Sequence, residues 1–138
     1  QAVFVWPVHP NPHVQEPAYR ILDKVKGITL LKHQPYLNLV NLLKNATLVL
    51  TDSGGIQEEA TALKIPTLVM REVTERPEGI EAGVLKLVGT DPKAIQDETI
   101  RLLDDAEAYN RMKESPNPFG DGHAAERILQ ALLDNREK

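Results

Sequence analysis

The chain has 138 residues, of which 41% are hydrophobic and 26% charged, and its formal net charge is −4. These values are typical of one folded globular domain and give no indication of the clustered basic surface that nucleic acids require. The absence of cysteine excludes disulfides and thiolate chemistry and fits a reducing cytoplasm. No apolar run approaches the roughly 20 residues needed to cross a bilayer. Because the chain starts at Gln1 and enters an apolar segment at once, we expect residues 1–138 to be cut from a longer polypeptide.

Short apolar segments alternate with amphipathic helices in the first third of the chain. Proline residues should end the first apolar segment, and leucines spaced by three and four predict the second helix. The predicted strands are Val3–Val8, Ile28–Leu31 and Thr47–Thr51, and the predicted helices are Ala18–Val25 and Leu37–Leu43.

The same alternation continues to the end of the chain. A helix is predicted from the turn at Ser53 through about Leu63, and the polar stretch Arg71–Gly83 separates the next two strands, Pro66–Met70 and Val84–Val88. Asp91 and Pro92 predict the start of a helix, and Asp104 or Asp105 the start of another. The buried stripe of the first of these helices is predicted as Ile95, Thr99, Leu102 and Leu103. A final helix is predicted to carry Ala125, Leu129, Leu132 and Leu133 on one face.

This order of elements predicts the fold class. Alternating strands and helices imply parallel strands joined by right-handed crossovers. The sequence therefore predicts an α/β domain with a doubly wound, Rossmann-like parallel sheet.

A possible phosphate site lies where the third strand meets the following helix, in the segment Thr51–Ala60. Ligands of such sheets bind beyond the carboxyl ends of the strands. The first N–H groups of a helix have no internal partners, and Gly54 and Gly55 would let an anion approach them. Ser53 could cap the helix or donate its hydroxyl. The alternative is that Ser53 is only an N-cap and the glycines only permit a tight turn.

Two charged groups could complete such a site. Of Glu58 and Glu59 only one can face the cleft, since adjacent helical residues point about 100° apart, and that carboxylate could accept hydrogen bonds from a sugar diol. A guanidinium from the run at residues 71–78 could pair with a diphosphate. The alternative for both groups is a solvated, self-compensating surface. His9 and His13 have helical metal-ligand spacing, but Pro10 and Pro12 argue against a helix there, and we predict no metal site.

Several segments together resemble the carboxyl-terminal domain of the non-hydrolysing bacterial UDP-N-acetylglucosamine 2-epimerases. They occur in the order and spacing of that family and cover nearly the whole chain. The matching segments are Pro7–Pro12, Thr51–Ala60, Thr74–Glu78, Leu87–Asp91 and Asn117–Gly122. The resemblance implies a GT-B architecture, with a UDP-sugar bound between two Rossmann-like domains, and a homodimer when the protein is full length.

The resemblance also implies an activity. The family interconverts UDP-N-acetylglucosamine and UDP-N-acetylmannosamine, by eliminating UDP to a glucal intermediate and adding it back to the opposite face, without metal or nicotinamide. The product is a precursor of cell-surface polysaccharides. The substrate-binding residues that the resemblance implies are Ser53, Gly54 and Gly55 at the diphosphate, Arg76 near it, Glu59 at the ribose and Gln34 at the uracil. His9 resembles a histidine near a second, regulatory UDP-N-acetylglucosamine.

The chain also departs from the family pattern. Leu39 stands where the family has a phenylalanine near the nucleobase, and Lys64 where it has a helix-ending glycine. The family's catalytic acids lie in an amino-terminal domain, so we expect no catalytic residue in these 138 residues. The first strand of the family's second domain is also missing, and it would lie between the strands Val3–Val8 and Thr47–Thr51. We expect these two strands either to pair directly or to associate with another chain through their open edges.

Three other functions are compatible with the same domain. A GT-B glycosyltransferase and a hydrolysing epimerase use a similar carboxyl-terminal domain, and a nucleotide-binding regulatory module would use it without catalysis. The segments Thr74–Glu78 and Pro7–Pro12 favour the non-hydrolysing epimerase.

Overall fold

The computed structural model describes residues 2–135. The chain divides into two compact units, residues 1–42 and 43–138. The strands are parallel and alternate with helices, as the sequence predicts.

The first unit contains a two-stranded parallel sheet. Strand β1 (Phe4–Pro7) pairs with β2 (Ile28–Leu31) so that Phe4 lies opposite Ile28 and Pro7 opposite Leu31. Helix α1 (Pro12–Leu22) connects the two strands, and helix α2 (Tyr36–Lys44) follows β2. Val8 and Ala18 are the most buried apolar residues of this unit.

Helix α1 begins six residues before the predicted start at Ala18 and ends at Leu22 rather than Val25. Pro12 occupies the first turn, where a proline costs little because its missing N–H would have no partner. The Asn11 side chain caps the helix by accepting from the N–H of His13 at 2.9 Å. The prediction that prolines exclude a helix here is therefore wrong for His13, while His9 does lie outside the helix.

The second unit contains a three-stranded parallel sheet in the order β3-β4-β5, formed by β3 (Val49–Thr51), β4 (Thr67–Val69) and β5 (Leu85–Leu87). Its helices are α3 (Gly54–Ala62), α4 (Pro77–Glu81), α5 (Pro92–Asp104), α6 (Ala106–Glu114) and α7 (Ala124–Asp134). One core cluster centres on Leu68 and Leu102, and a second on Val69 and Leu85.

Local sequence signals account for the starts of α5 and α6. The side chain of Asp91 accepts from the N–H of Ala94 at 2.8 Å and Pro92 opens α5, as predicted. The sequence predicts that the next helix starts at Asp104 or Asp105, and Asp105 caps α6.

The structure corrects one prediction for this unit and adds two observations. The stretch Arg71–Gly83 contains the short helix α4. Leu103 is 44% exposed rather than part of the buried stripe, because the core takes Thr99 and Leu102 from the neighbouring face of α5. The apolar face of α7 makes no core in residues 2–135, where none of its residues is buried.

Strands β1 and β3 belong to different sheets. Among the described strands, β1 pairs with β2 alone and β3 with β4 alone. Of the two expected outcomes for the missing strand, direct pairing is therefore not observed, and association through the open edges stays a prediction. None of the helices within residues 2–135 has the length and hydropathy of a membrane span.

Candidate functional site

The candidate phosphate site lies at the carboxyl ends of β3 and β4. Thr51 and Val69 end these strands as register partners, and the Met70 N–H donates to the Thr51 carbonyl at 2.9 Å. The chain leaves β3 at Asp52 and enters α3 at Gly54, while the turn at residues 71–76 leaves β4. The amino terminus of α3 and this turn are therefore brought together by the register of the sheet.

Ser53 is the N-cap of α3 in backbone conformation, but its side chain caps nothing. Its φ and ψ are −88° and 127°, and its hydroxyl makes no capping hydrogen bond. Its N–H instead donates to the Thr51 hydroxyl oxygen at 3.1 Å. The first N–H groups of α3 and the exposed Ser53 hydroxyl are therefore available to an external acceptor.

The two glycines differ in what surrounds them. A Cβ on Gly55 would meet no atom within 4 Å among the described residues, so the space beside Gly55 is open. A Cβ on Gly54 would overlap the carboxylate of Glu75. Gly54 thus allows the turn at residues 71–76 to approach the helix, and Gly55 leaves room for a ligand.

Glu58 and Glu59 have different environments. Glu58 forms an ion pair with the Nε of Arg76, and its side chain is 42% exposed. Glu59 is half-buried, and its Oε2 is buried without a hydrogen-bond partner in the part of the chain that the structure describes. The structure thus separates the two carboxylates that the sequence could not tell apart, and only Glu59 has an unused buried acceptor.

Two arginines of the turn at residues 71–76 are held by carboxylates. Arg71 pairs with Glu75, and Arg76 pairs with Glu58 while also donating to the Glu75 carbonyl at 3.1 Å. A hydrogen bond from its own backbone N–H, followed by the nearby Arg71, holds the pKa of Glu75 below its usual 4.5. Arg76 therefore lies beside the first turns of α3.

A partly buried hydrogen bond joins this turn to α3. The Thr74 hydroxyl donates to Gln57 Oε1 at 2.7 Å, and Thr74 Oγ1 accepts from the Arg76 N–H at 3.1 Å. The sequence pattern indicates no individual role for Gln57, Thr74 or Glu75. The Thr-x-Arg spacing fits a local hydroxyl turn, whereas the contact across 17 residues has no sequence signature.

Gln34 and His9 belong to the first unit and lie beyond the carboxyl ends of its two strands. The Gln34 side chain donates to the Lys32 carbonyl at 2.8 Å, and His9 Nδ1 accepts from the Asn11 N–H at 3.2 Å. Both residues are thus held by local bonds in loops that follow β2 and β1. No group of three or more His, Cys, Asp or Glu side chains suited to a metal occurs within residues 2–135.

The structural class of the domain follows from three features: parallel strands, alternating helices, and an open helix amino terminus at the carboxyl edge of the sheet. The chain is an α/β domain of the Rossmann-like type. The sequence profile of the UDP-N-acetylglucosamine 2-epimerases matches residues 1–133. The chain belongs to the UDP-N-acetylglucosamine 2-epimerase family.

Individual relatives agree with this assignment. The UDP-N-acetylglucosamine 2-epimerase of Escherichia coli K12 is 54% identical over 132 residues, which cover 96% of this chain and 35% of that enzyme. The enzyme of Campylobacter jejuni is 46% identical over 132 residues, covering 96% of this chain and 34% of its own length. The chain thus spans about a third of the length of the curated relatives it matches.

Solved structures show the same fold. The Neisseria meningitidis UDP-GlcNAc 2-epimerase bound to UDP-GlcNAc superimposes with a TM-score of 0.90 at 42% identity, covering 96% of this chain and 36% of that one. The S. aureus MnaA–UDP co-structure gives a TM-score of 0.88 at 45% identity, covering 94% of this chain and 36% of that one. These matches confirm the predicted fold class, the carboxyl-terminal Rossmann-like domain of a GT-B enzyme.

Proposed function

We propose that this chain is the UDP-binding part of an enzyme that interconverts UDP-N-acetylglucosamine and UDP-N-acetylmannosamine. The reaction eliminates UDP from the sugar and then adds UDP back to the opposite face. The residues that we assign to the nucleotide are Ser53, Gly54, Gly55 and Arg76 at the diphosphate, Glu59 at the ribose and Gln34 at the uracil.

The observation that carries this proposal is the open cradle at Gly55 together with the unpaired carboxylate oxygen of Glu59. The helix amino terminus favours an anion through its free N–H groups and its dipole. Glu59 lies four residues after Gly55, which corresponds to about 6 Å along a helix axis. A ribose attached to a cradled diphosphate would bring a hydroxyl donor to an acceptor that otherwise has none.

A site of this kind suits elimination and re-addition because the leaving group must be retained. Holding UDP in a fixed orientation makes its return an effectively unimolecular step. The proton transfers at C2 of the sugar need acid and base groups, which we assign to an amino-terminal domain acting with this chain. We assign no catalytic residue to residues 1–138.

Further parts of the proposal concern the whole protein. We propose that it acts as a homodimer in the cytoplasm and that its product enters cell-surface polysaccharides. His9 lies in an exposed loop after β1, and we assign it to a second, regulatory UDP-N-acetylglucosamine site.

The test is to incubate the complete gene product and the 138-residue chain separately with UDP-N-acetylglucosamine. NMR should detect the manno epimer with the complete gene product and no conversion by the chain alone. Turnover by the chain alone would show that the catalytic groups lie within it. Binding of UDP without turnover by the complete gene product would favour a non-catalytic nucleotide-binding module.

A further inference from the structure

Gln57 is a polar side chain that is fully buried. It lies in the second turn of α3, and its relative exposure is 0%. Its Oε1 accepts from the Thr74 hydroxyl, which belongs to the turn that leaves β4. Its Nε2 is buried and has no hydrogen-bond partner in the described part of the chain.

The Thr74 hydroxyl joins two groups. Its oxygen accepts from the Arg76 N–H, and its single proton is donated to Gln57 Oε1. Gln57 thus presents its carbonyl oxygen to Thr74, and its buried amide nitrogen has no hydrogen-bond partner within residues 2–135. A buried donor without a hydrogen-bond partner lowers the stability of the fold. An apolar side chain would fill the same space without that cost, so stability does not explain a glutamine at this position.

We propose that Thr74, whose hydroxyl is held by Gln57, is a positioning residue that sets Arg76 at the phosphate cradle. This inference rests on the proposed role of Arg76 at the diphosphate. The relay from Gln57 through Thr74 fixes the backbone of Arg76 beside the first turns of α3. Because the arginine is placed before the ligand arrives, less side-chain freedom is lost when the diphosphate binds.

The first experiment compares Thr74→Val with Thr74→Ser in the complete gene product. Valine keeps the shape but removes the hydroxyl, whereas serine retains it. Calorimetry should show UDP affinity reduced about tenfold by Thr74→Val and by less than about twofold by Thr74→Ser. Uridine affinity should stay within about twofold in both variants, because uridine has no phosphate for Arg76 to contact. Equal losses for UDP and uridine would show a general structural role and overturn the proposal.

The second experiment asks whether Thr74 acts through Arg76. In an Arg76→Gln background, Thr74→Val should have no further effect on UDP affinity, since coupled residues are not additive. A full tenfold loss in that background would overturn the relay. If Arg76→Gln alone leaves UDP affinity unchanged, the proposed role of Arg76 fails. If Arg76→Gln weakens binding and Thr74→Val does not, only the positioning role fails.

Discussion

Glu59 and Glu58 provide a matched pair for testing the nucleotide site. They are neighbours on α3, but Glu59 has a buried oxygen without a partner, whereas Glu58 is paired with Arg76. We expect Glu59→Ala to weaken UDP binding strongly in the complete gene product and Glu58→Ala to change it little.

The expected size follows from the bond that the ligand would form. A hydrogen bond from a hydroxyl to a charged acceptor contributes about 1.5–3 kcal/mol, so its loss should weaken UDP binding between about 10-fold and about 150-fold. Glu58→Ala removes a half-exposed ion pair, which is worth about 0–1 kcal/mol. Its effect on UDP affinity should stay below about fivefold.

Stability gives an independent check on this pair. Because Glu59 Oε2 has no hydrogen-bond partner among residues 2–135, Glu59→Ala should leave the free energy of unfolding within about 1 kcal/mol of the parent. Titration calorimetry measures UDP affinity, and urea denaturation without ligand measures stability. Equal losses of affinity for the two alanine variants, or a larger loss for Glu58→Ala, would refute the assignment of Glu59 to the ribose.

Three further predictions concern the cradle, a helix end and pH. Gly55→Ala should weaken UDP binding in calorimetry without loss of stability, because its Cβ would enter the open space of the cradle. Gly54→Leu should also weaken UDP binding. Unchanged UDP affinity in both variants would exclude the phosphate cradle. Lys64→Gly should raise the free energy of unfolding, measured in urea, by about 1 kcal/mol. The reason is that Lys64 follows the end of α3 with a φ of 56°, a left-handed conformation that glycine adopts more readily. A loss of stability would contradict this prediction. The Arg101 side chain, in a hydrogen bond, lowers the pKa of Glu98 below 4.5 against the effect of its burial. The ionised Glu98 therefore stabilises the fold above pH 4.5, and this contribution should fade as pH falls below that value. Between about pH 3 and about pH 6, the free energy of unfolding of Glu98→Gln, measured by denaturation, should depend less on pH than that of the parent. An identical pH profile for the two proteins would contradict this prediction.

The sequence by itself determined the features that depend on neighbouring residues. The apolar strand, the Ser53–Gly55 turn and the helix after it form a continuous pattern, and all of them appear in the structure. Asp91 and Pro92 predicted the start of α5 because capping is a contact across three residues. The parallel arrangement followed from the alternation of strands and helices.

The resemblance to a family supplied what periodicity could not. It assigned roles to Glu59, Arg76 and Gln34, whereas the residue pattern favoured a solvated surface for the two charged residues. It also identified Lys64 as standing where the family has a helix-ending glycine, and Lys64 adopts the left-handed conformation that glycine favours.

Only the tertiary structure decided which of these groups meet. Gln57 and Thr74 are 17 residues apart, and Glu58 and Arg76 are 18 residues apart. These contacts exist because β3 and β4 pair in parallel register, which brings the helix after one strand against the turn after the other. The same register leaves one oxygen of Glu59 buried and unpaired while Glu58 finds an arginine. Local sequence does not predict these contacts, because they are set by the packing of elements that lie far apart along the chain.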